Sequence, residues 1–382
     1  KDEGKGYPLV RTPNVGKGRL LLNGIHRVSE DVYNSRNSRA IPEEGDLILA
    51  REAPVGNVSI IMQGQRVCLG QRVVLIKPKR ELVDPHYLTY YLLSAEVQNR
   101  LKNHANGAVV AHLNVTDIRN LLVSLPELDE QIAIGKILRS IEDKIELNNR
   151  INHNLEEQAQ ALYKSWFVDF EPFRGGNFVD SELGMIPEGW SVQKAEELCE
   201  INIGKTPPRK EHHWFSNNNS DVTWISISDM GSSEVYISKS SEMLTKEACK
   251  KFNVIIVPEG TVLLSFKLTV GRVSIAAKEL TTNEAIARFL VPTDAMRSYL
   301  YLALKSYDYS KLGSTSSIAT AVNSKIIKKM ALICPPEDII EKFGVHVSGI
   351  FRSIKTLQEE ISCLCEQRDS LLPRLMSGEI TC

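Results

Sequence analysis

Arginine and lysine residues recur on segments of this sequence that carry turn signals. Before residue 60 they are Arg11, Lys17, Arg19, Arg36, Arg39 and Arg51, and further along the chain they are Lys205, Arg209, Lys210, Lys267 and Arg272. The stretch GKTPPRKEHHW (204–214) forms a loop that its prolines stiffen. Both side-chain types pair with guanine edges and with phosphates, so these positions predict binding to a nucleic acid. The alternative for each of them is a solvated surface charge.

A repeated hairpin singles out two of these cations. VGNVSI (55–60) matches VGRVSI (270–275), and a basic residue, Arg51 or Lys267, precedes the turn in both copies. This recurrence favours Arg51 and Lys267 over the other cations. Residues 106–114 and 313–323 also correspond, and their small polar residues suit close approach to a backbone. The weaker candidates on these two loops are His112, Asn114, Ser314, Thr315 and Asn323.

Motifs that carry catalysis or hold a metal are absent from the sequence. It contains no phosphate-binding GxxxxGK[ST], no Gly-rich dinucleotide loop between a strand and a helix, no HExxH and no Asn-Pro-Pro-aromatic tetrapeptide. Its seven cysteines form no CxxC pair, which indicates reduced thiols rather than a zinc site or disulfides. We therefore predict a non-catalytic protein without cofactor or metal. The thiols and the lack of a long apolar stretch predict a cytoplasmic location, away from membranes.

The net charge of −1 conceals a pattern along the chain. Residues 1–126 carry 17 basic and 12 acidic groups, and residues 175–334 carry 18 and 17. Residues 127–174 carry 6 basic and 10 acidic groups, and residues 335–382 carry 5 and 8. Because binding to DNA depends on a local basic surface, the near-neutral total does not argue against it.

The alternation of charge follows an internal duplication. The hairpins match at an offset of 215, and HLNVTDIRNLLVSLP (112–126) matches AVNSKIIKKMALICP (321–335) at an offset of 209 that continues to the end of the chain. The second copy begins near Met185, about 35–40 residues before the stretch that corresponds to YPLVRTPNV (7–15). The repeat thus predicts that a complete first copy would have such a segment ahead of residue 1.

Each copy contains a globular part and a long helix. Short apolar runs between Gly and Pro predict strands within 40–50, 57–62 and 72–78, with a helix over 86–105, and the second copy repeats them within 254–266, 272–277 and 286–292, with a helix over 295–307. Apolar heptad seams follow, from Ile134 to Trp166 and from Phe343 to Leu375. We predict an α+β protein with two tandem α/β domains, each followed by a long helix, and the two helices packing as an antiparallel coiled coil.

The predicted boundaries are 1–126, 127–174, 175–334 and 335–382, for domain, helix, domain and helix. Asn148 and Asn152 lie on the first seam, where buried polar groups would fix the register, or where the helices separate and are solvated. KSWFVDFEPF (164–173) follows that seam. Its Trp166, Phe167 and Phe170 either pack in the core or anchor a partner protein, since aromatic clusters suit binding hot spots.

Several of these segments resemble the specificity subunits of Type I restriction–modification systems. Residues 125–173 resemble their central conserved region, and RDSLLPRLMSGEI (368–380) resembles their C-terminal one. IPEGWSVQKAEELCEINIGKTP (186–207) is similar to the start of a second target recognition domain, and GDLILAREAPVGNVSII (45–61) to the hairpin of the first. The resemblance implies that each domain reads one half of a split DNA target, while the helices set the spacing and bind two modification subunits.

The sequence therefore favours a DNA-specificity subunit that reads a bipartite, asymmetric site. Its expected partners are double-stranded DNA and two modification (methyltransferase) subunits, with restriction or translocase subunits left open. The alternative is a duplicated protein–protein scaffold with coiled-coil spacers, in which the basic loops are ordinary surface. A solitary methyltransferase or nuclease is disfavoured by the missing motifs.

Overall fold

A computed structural model of the chain describes residues 4–104, 112–232, 234–312 and 322–381. By the density of its internal contacts the chain divides into two compact units. Unit 1 comprises residues 1–147 and 361–382, and unit 2 comprises residues 148–360. Each unit holds one globular part and parts of both long helices. The boundaries predicted from the sequence at residues 126, 174 and 334 remain predictions, because this division cuts through the helices instead.

Unit 1 is a mixed α/β unit whose described residues form two small sheets. Its elements, with the full span of the first long helix, are β1 (Tyr7–Val10), β2 (Gly18–Arg19), β3 (Arg27–Val28), α1 (Glu30–Arg36), β4 (Leu47–Ala50), β5 (Val58–Ile60), β6 (Cys68–Leu69), β7 (Val73–Ile76), α2 (Pro85–Leu93), α3 (Ala95–His104), α4 (Val115–Arg119) and α5 (Leu128–Phe167). One sheet has the strand order β2-β5-β4-β7 and the other β3-β1-β6. The fully buried strand β4 lies antiparallel to both β5 and β7.

Unit 2 repeats this plan and adds strands to it. Its elements, with the full span of the second long helix, are β8 (Phe178–Ser181), β9 (Gly184–Pro187), β10 (Ser191–Lys194), α6 (Ala195–Leu198), β11 (Glu200–Ile203), β12 (Phe215–Ser216), β13 (Val222–Ile225), β14 (Tyr236–Ile237), β15 (Glu242–Leu244), α7 (Lys246–Lys251), β16 (Val262–Ser265), β17 (Val273–Ala276), β18 (Thr281–Thr282), β19 (Ile286–Leu290), α8 (Asp294–Ser306), α9 (Ser324–Lys328), β20 (Ala331–Cys334) and α10 (Glu337–Met376). The sheets are β11-β19-β16-β17-β14, β12-β15-β13-β18, β10-β20 and β8-β9.

The core of each globular part lies between its main sheet and a helix rich in tyrosine. In unit 1, Leu47 and Leu49 of β4 pack with Tyr87 of α2. In unit 2, Val262 and Leu264 of β16 pack with Tyr299 of α8. Every residue of β4 and β16 is buried, so both faces of these strands are covered, which is why the sequence shows continuous apolar runs there rather than alternation.

The two long helices form the predicted antiparallel pair. In unit 1 the beginning of α5 packs against the end of α10, with Leu138 beside Leu375 in one cluster and Arg368 donating to Glu142 at 2.7 Å. In unit 2 the end of α5 packs against the beginning of α10, where Phe167 and Phe343 have ring centroids 4.8 Å apart. The predicted seams therefore face inwards in both units.

A buried asparagine interrupts the seam within unit 2. The amide nitrogen of Asn148, a fully buried residue, donates to the Glu360 carboxylate at 2.8 Å. The amide oxygens of Asn148 and Asn152 are buried, and neither has a hydrogen-bond partner among the described residues. Burial favours the interpretation that these polar residues fix the register over the interpretation of a solvated separation.

The predicted helix over 86–105 is two helices. Ser94 has extended backbone angles, φ −62° and ψ 149°, so α2 ends there and α3 begins at the next residue. The side chain of Gln98 donates to the carbonyls of Leu92 and Gly56, at 2.7 and 2.8 Å. The break therefore lets α3 reach the β4–β5 hairpin. The periodicity of apolar residues alone could not reveal this break.

Candidate nucleic-acid interface

In unit 1, the turn of the β4–β5 hairpin lies beside the segment that leads into α4. Arg51 donates from Nε to the carbonyl of Leu113 at 2.7 Å, and its Nη2 lies 3.2 Å from Nε2 of His112. Nδ1 of His112 lies 3.4 Å from the Glu52 carboxylate. Arg51 and His112, predicted on separate loops, are thus brought together. Asn114 is exposed beside them, at the start of α4.

A row of arginines continues along the segment that follows β6. Arg36 donates to the carbonyl of Leu69 at 3.3 Å, and the side chain of Arg11 packs against Gly70. Arg72, which the sequence did not single out, pairs with Glu52 at 3.0 Å and has a side chain that is 64% exposed. Its backbone is left-handed, with φ 67°, and its carbonyl accepts from the amide of Arg51. The chain carries no motif at Arg72 that could have revealed this position.

Two further cations of unit 1 stand apart from this row. Lys17 is exposed on a turn whose neighbours are anchored, since the Ser59 hydroxyl donates to the carbonyl of Arg19 at 2.8 Å and the amide of Gly16 donates to the same carbonyl at 3.1 Å. Arg39 is exposed, and no ion pair or side-chain hydrogen bond holds it among the described residues. Arg19, by contrast, pairs with Asp143 on α5. It therefore ties the globular part to the long helix.

In unit 2, the loop after β11 is held firmly in place. The amides of Gly204 and Lys205 donate to the carbonyls of Ile286 and Thr282, at 3.1 and 2.9 Å. The indole of Trp224 donates to the carbonyl of Lys205 at 3.1 Å. A β-carbon at position 204 would lie 1.9 Å from the carbonyl oxygen of Asn283, so only glycine fits. The loop is a rigid platform rather than a flexible connection.

The three predicted cations of this loop have different environments. Lys205 donates to the carbonyl of Phe252 at 2.6 Å. Arg209 pairs with Glu242 at 2.6 Å, and its guanidinium lies over the rings of Phe215 and Trp224, at 4.3 and 4.6 Å. These contacts make Lys205 and Arg209 part of the loop's own support. Lys210 is exposed and has no ion-pair partner within the part of the chain that the structure describes.

The β16–β17 hairpin reaches the same edge of unit 2. The amide of Phe266 donates to the carbonyl of Ala285 at 2.9 Å, next to the segment that holds the 204–211 loop. Arg272 donates to the carbonyl of Ile227 at 2.7 Å and is only partly exposed. Lys267, at the turn, is exposed. Ser314 and Thr315 lie outside the described residues.

A buried arginine joins the strands and loops that support this edge of unit 2. Arg288 is 1% exposed, and its guanidinium donates to the carbonyls of Ile255 and Ile203, both at 2.8 Å. Burial lowers the pKa of Arg288 to about 10. By joining β19 to the last residue of β11, this side chain fixes the start of the 204–211 loop. Sequence reasoning missed it because an arginine within an apolar strand carries no sign of its partners.

The aromatic residues after the first seam belong mostly to the core of unit 2. Phe167 and Phe170 are buried, at 1% and 9% exposure, and Trp166 is partly buried against Phe343. The structure therefore favours core packing for Phe167 and Phe170. A partner contact through Trp166 stays a prediction.

The described residues offer no cluster of His, Cys, Asp or Glu that could hold a metal ion. Six cysteines in these ranges have free thiols. None of the helices within them has the length and apolar character needed to cross a membrane. The geometry on both units is that of projecting cations on braced loops, which suits binding to phosphates and bases.

Comparison with known proteins identifies the family. The family described as the Type I restriction modification DNA specificity domain matches residues 1–157 and 187–362. The chain belongs to this family. The two matches confirm two tandem specificity domains and the resemblance that the sequence showed.

Relatives of this specificity protein match it along nearly its whole length. The specificity subunit of the Type I restriction enzyme HindI from Haemophilus influenzae is 26% identical over 442 aligned positions, covering 98% of this chain and 95% of the relative. The MjaIX specificity subunit from Methanocaldococcus jannaschii is 26% identical and covers 94% and 83%. The S subunit of a Type I system from M. genitalium, 13% identical, superposes with a TM-score of 0.56 over 97% of this chain and 92% of that one, which supports the fold.

Proposed function

We propose that this chain is the non-catalytic DNA-recognition subunit of a Type I restriction–modification complex, in which each globular part reads one half of a bipartite target. The proposal rests on one observation: both units have a sheet edge whose loops are held by hydrogen bonds and carry exposed cations. Asn57 and Arg272 occupy the same repeat position and both donate to a loop carbonyl, to Val15 at 2.9 Å and to Ile227 at 2.7 Å.

The projecting side chains differ between the two edges. Unit 2 presents Lys210 and Lys267, whereas unit 1 presents Arg11, Lys17, Arg36, Arg39 and Arg72. Because different side chains select different base edges, the two half-targets differ and the whole site is asymmetric. The chain assembles with two modification subunits, which supply the chemistry, and it works in the cytoplasm with them.

A salt titration tests the binding itself. The full chain is titrated with a short random-sequence duplex at several salt concentrations, and the logarithm of affinity is plotted against the logarithm of salt. We expect a steep linear loss, with a slope that shrinks by about 1 for each phosphate contact removed. The triple variant Arg11→Ala, Lys17→Ala and Arg39→Ala should therefore lower the slope by about 2–3.

The matched control removes exposed cations from a long helix, with Lys136→Ala and Arg150→Ala. This control should leave the slope unchanged. A chain that binds no duplex at any salt would instead support the protein–protein scaffold.

The antiparallel helices are proposed to set the spacer between the half-targets. Inserting four residues into both long helices adds ~6 Å to each. The spacer of the methylated site should grow by roughly two base pairs at 3.4 Å per step. Methylome sequencing of a host that carries the lengthened chain reads this directly, and an unchanged spacer contradicts the role of the helices.

A further inference from the structure

The turn of the β16–β17 hairpin in unit 2 presents an unusual apolar side chain. Leu268 is 98% exposed, more than any other large apolar residue in the described ranges. Its backbone is left-handed, with φ 61°. The amide of Thr269 donates to the carbonyl of Lys267 at 2.6 Å, which closes a γ-turn around Leu268. A γ-turn with positive φ is the rare, strained form.

Hydrogen bonds to one buried serine hold this strained turn in place. The hydroxyl of Ser265, a fully buried residue, donates to the carbonyl of Thr269 at 2.6 Å and accepts from the amide of Arg272 at 3.1 Å. The amide of Gly271 donates to the carbonyl of Ser265 at 3.0 Å. Both strands of the turn are thus fixed to one buried serine, so the Leu268 side chain is fixed at the apex.

Neither packing nor turn chemistry accounts for leucine at this place. A glycine adopts positive φ without the steric cost that a β-carbon brings. Strain of this kind, held by its surroundings, occurs at sites that bind ligands. The turn lies at the cation-bearing edge, between Lys267, which is exposed, and Arg272.

We propose that Leu268 contacts DNA bases directly and determines specificity in the half-target read by unit 2. This inference rests on the proposed function. The major groove admits a two-stranded ribbon, and apolar side chains recognise the thymine methyl group there. Leucine also inserts between base pairs and unstacks them. In both cases Lys267 can bind the neighbouring phosphate while Leu268 meets an apolar surface of the bases.

The repeat offers an internal contrast to Leu268. Ala53 is the position in unit 1 that matches it at the offset of 215, and no residue between 51 and 57 other than glycine has a positive φ. The apolar contact is therefore specific to one half of the target.

The test is a selection of bound sequences from a random duplex library, carried out with the full chain. The variants are Leu268→Ala, Leu268→Gly and Leu268→Met, and the control is Val345→Ala, which trims a residue that is 77% exposed on α10. We expect Leu268→Ala and Leu268→Gly to lose selectivity at one or two adjacent base pairs in one half-target. Their affinity for the wild-type site should fall about 5- to 150-fold, while the salt slope is kept. Leu268→Met should restore most of the selectivity.

Leu268→Gly also separates base contact from a structural role, because it relieves the strain and yet removes the side chain. Identical selected sequences from wild type, Leu268→Ala and Leu268→Gly would overturn the proposal. If the wild-type chain selects no sequence and binds no duplex, the proposed function fails as well, and the control variant would fail in the same way.

Two modified duplexes then distinguish the kinds of apolar contact. With deoxyuridine in place of thymine at the affected position, a loss of affinity for wild type but not for Leu268→Ala identifies the methyl group. With 2-aminopurine at that step, a rise in fluorescence for wild type alone identifies insertion. The absence of both signals at every affected position contradicts a base contact.

Discussion

The two copies of the repeat differ most along the edges of their sheets. In unit 2, β19 pairs with β16 on one side and β11 on the other, and β20 pairs with β10. In unit 1, β7 pairs within the described residues only with β4, and residues 122–125, which match β20, form no strand. Val123 is 38% exposed, whereas the matching residue of β20, Leu332, is 3% exposed. A cleft of about 310 Å³ lined mainly by apolar side chains lies beside β7.

The two copies are alike in the residues that support these edges. Ser59 and Ser274, both buried, occupy the same repeat position and both donate to backbone carbonyls. Gly45 and Gly260 lie two residues before the equivalent strands β4 and β16, with φ 81° and 85°. The comparison shows that the support of the candidate interface is repeated, while the sheet edges and the projecting side chains are not. Four experiments test this contrast.

The largest effect is expected from Gly204→Ala, in the loop that only unit 2 has among the described residues. The new methyl group would meet the carbonyl of Asn283 and the hydroxyl of Thr282, at 1.9 and 2.2 Å, so the backbone must move. We expect unit 2 to lose about 3 kcal/mol of unfolding free energy. Urea denaturation measures it. Gly175→Ala, where no atom lies within 4 Å of the new methyl group, should cost almost nothing. A harmless Gly204→Ala would mean that the loop is flexible.

Hydrogen exchange compares the two sheet edges in the unmodified chain. Among the described residues, no strand pairs with the side of β7 that points away from β4, whereas β11 covers the equivalent side of β19. We expect β7 to open with about 2 kcal/mol less free energy than β19, which is roughly a thirty-fold faster exchange. Equal protection would show that something other than strand pairing covers β7.

The paired substitutions Ser59→Ala and Ser274→Ala test the shared support. Each removes a buried hydroxyl that donates to a carbonyl, to Arg19 at 2.8 Å or to Glu234 at 2.9 Å. We expect a loss of about 1 kcal/mol in the unit that carries the change. Thermal unfolding measures it, with Ser353→Ala on the exposed face of α10 as control. A large loss from one and none from the other would contradict a common support.

The smallest effect is a difference in pH dependence. Asp229 accepts from the amide and hydroxyl of Ser226 and from the amide of Ser241. Burial opposes ionisation of this carboxyl, but the hydrogen bonds outweigh it and lower the pKa of Asp229 below its ordinary value. Asn14 is the neutral counterpart in unit 1, and its side chain accepts from the amide of Arg11 at 3.0 Å.

Because the folded-state pKa of Asp229 is lowered, its contribution is complete above the ordinary pKa of 3.8 and is lost as the pH falls through the folded value. Asp229→Asn should cost unit 2 a few tenths of a kcal/mol at neutral pH and nothing in strong acid. Exchange of loop amides at several pH values measures it. An equal cost at every pH would show that the charge contributes nothing.

Much of the fold follows from the sequence, because it depends on local pattern. The seams from Ile134 to Trp166 and from Phe343 to Leu375 predicted both long helices. Each helix ends one residue after its seam and begins six residues before it. The strands of the hairpins were also predicted. The break at Ser94 was not, because it depends on Gln98 bonding to a distant turn.

The candidate site was only partly predictable for a similar reason. The sequence identified Arg51 and His112 from the repeat, but not that they meet each other. It ranked Lys205 and Arg209 with Lys210, although a carbonyl, a carboxylate and two aromatic rings surround the first two. It gave no sign of Arg72, Arg288 or Leu268. Their roles depend on backbone angles and on partners far away along the chain.

By itself, then, the sequence determined the duplication, the two globular parts, the helical seams and the family, since periodicity and repeated motifs are properties of the chain. Only the tertiary structure decided which cations project and which brace a loop, that Asn148 is buried opposite Glu360, and that Leu268 stands at the apex of a strained turn. The physical reason is that exposure and hydrogen bonding depend on residues that folding brings together from distant parts of the chain.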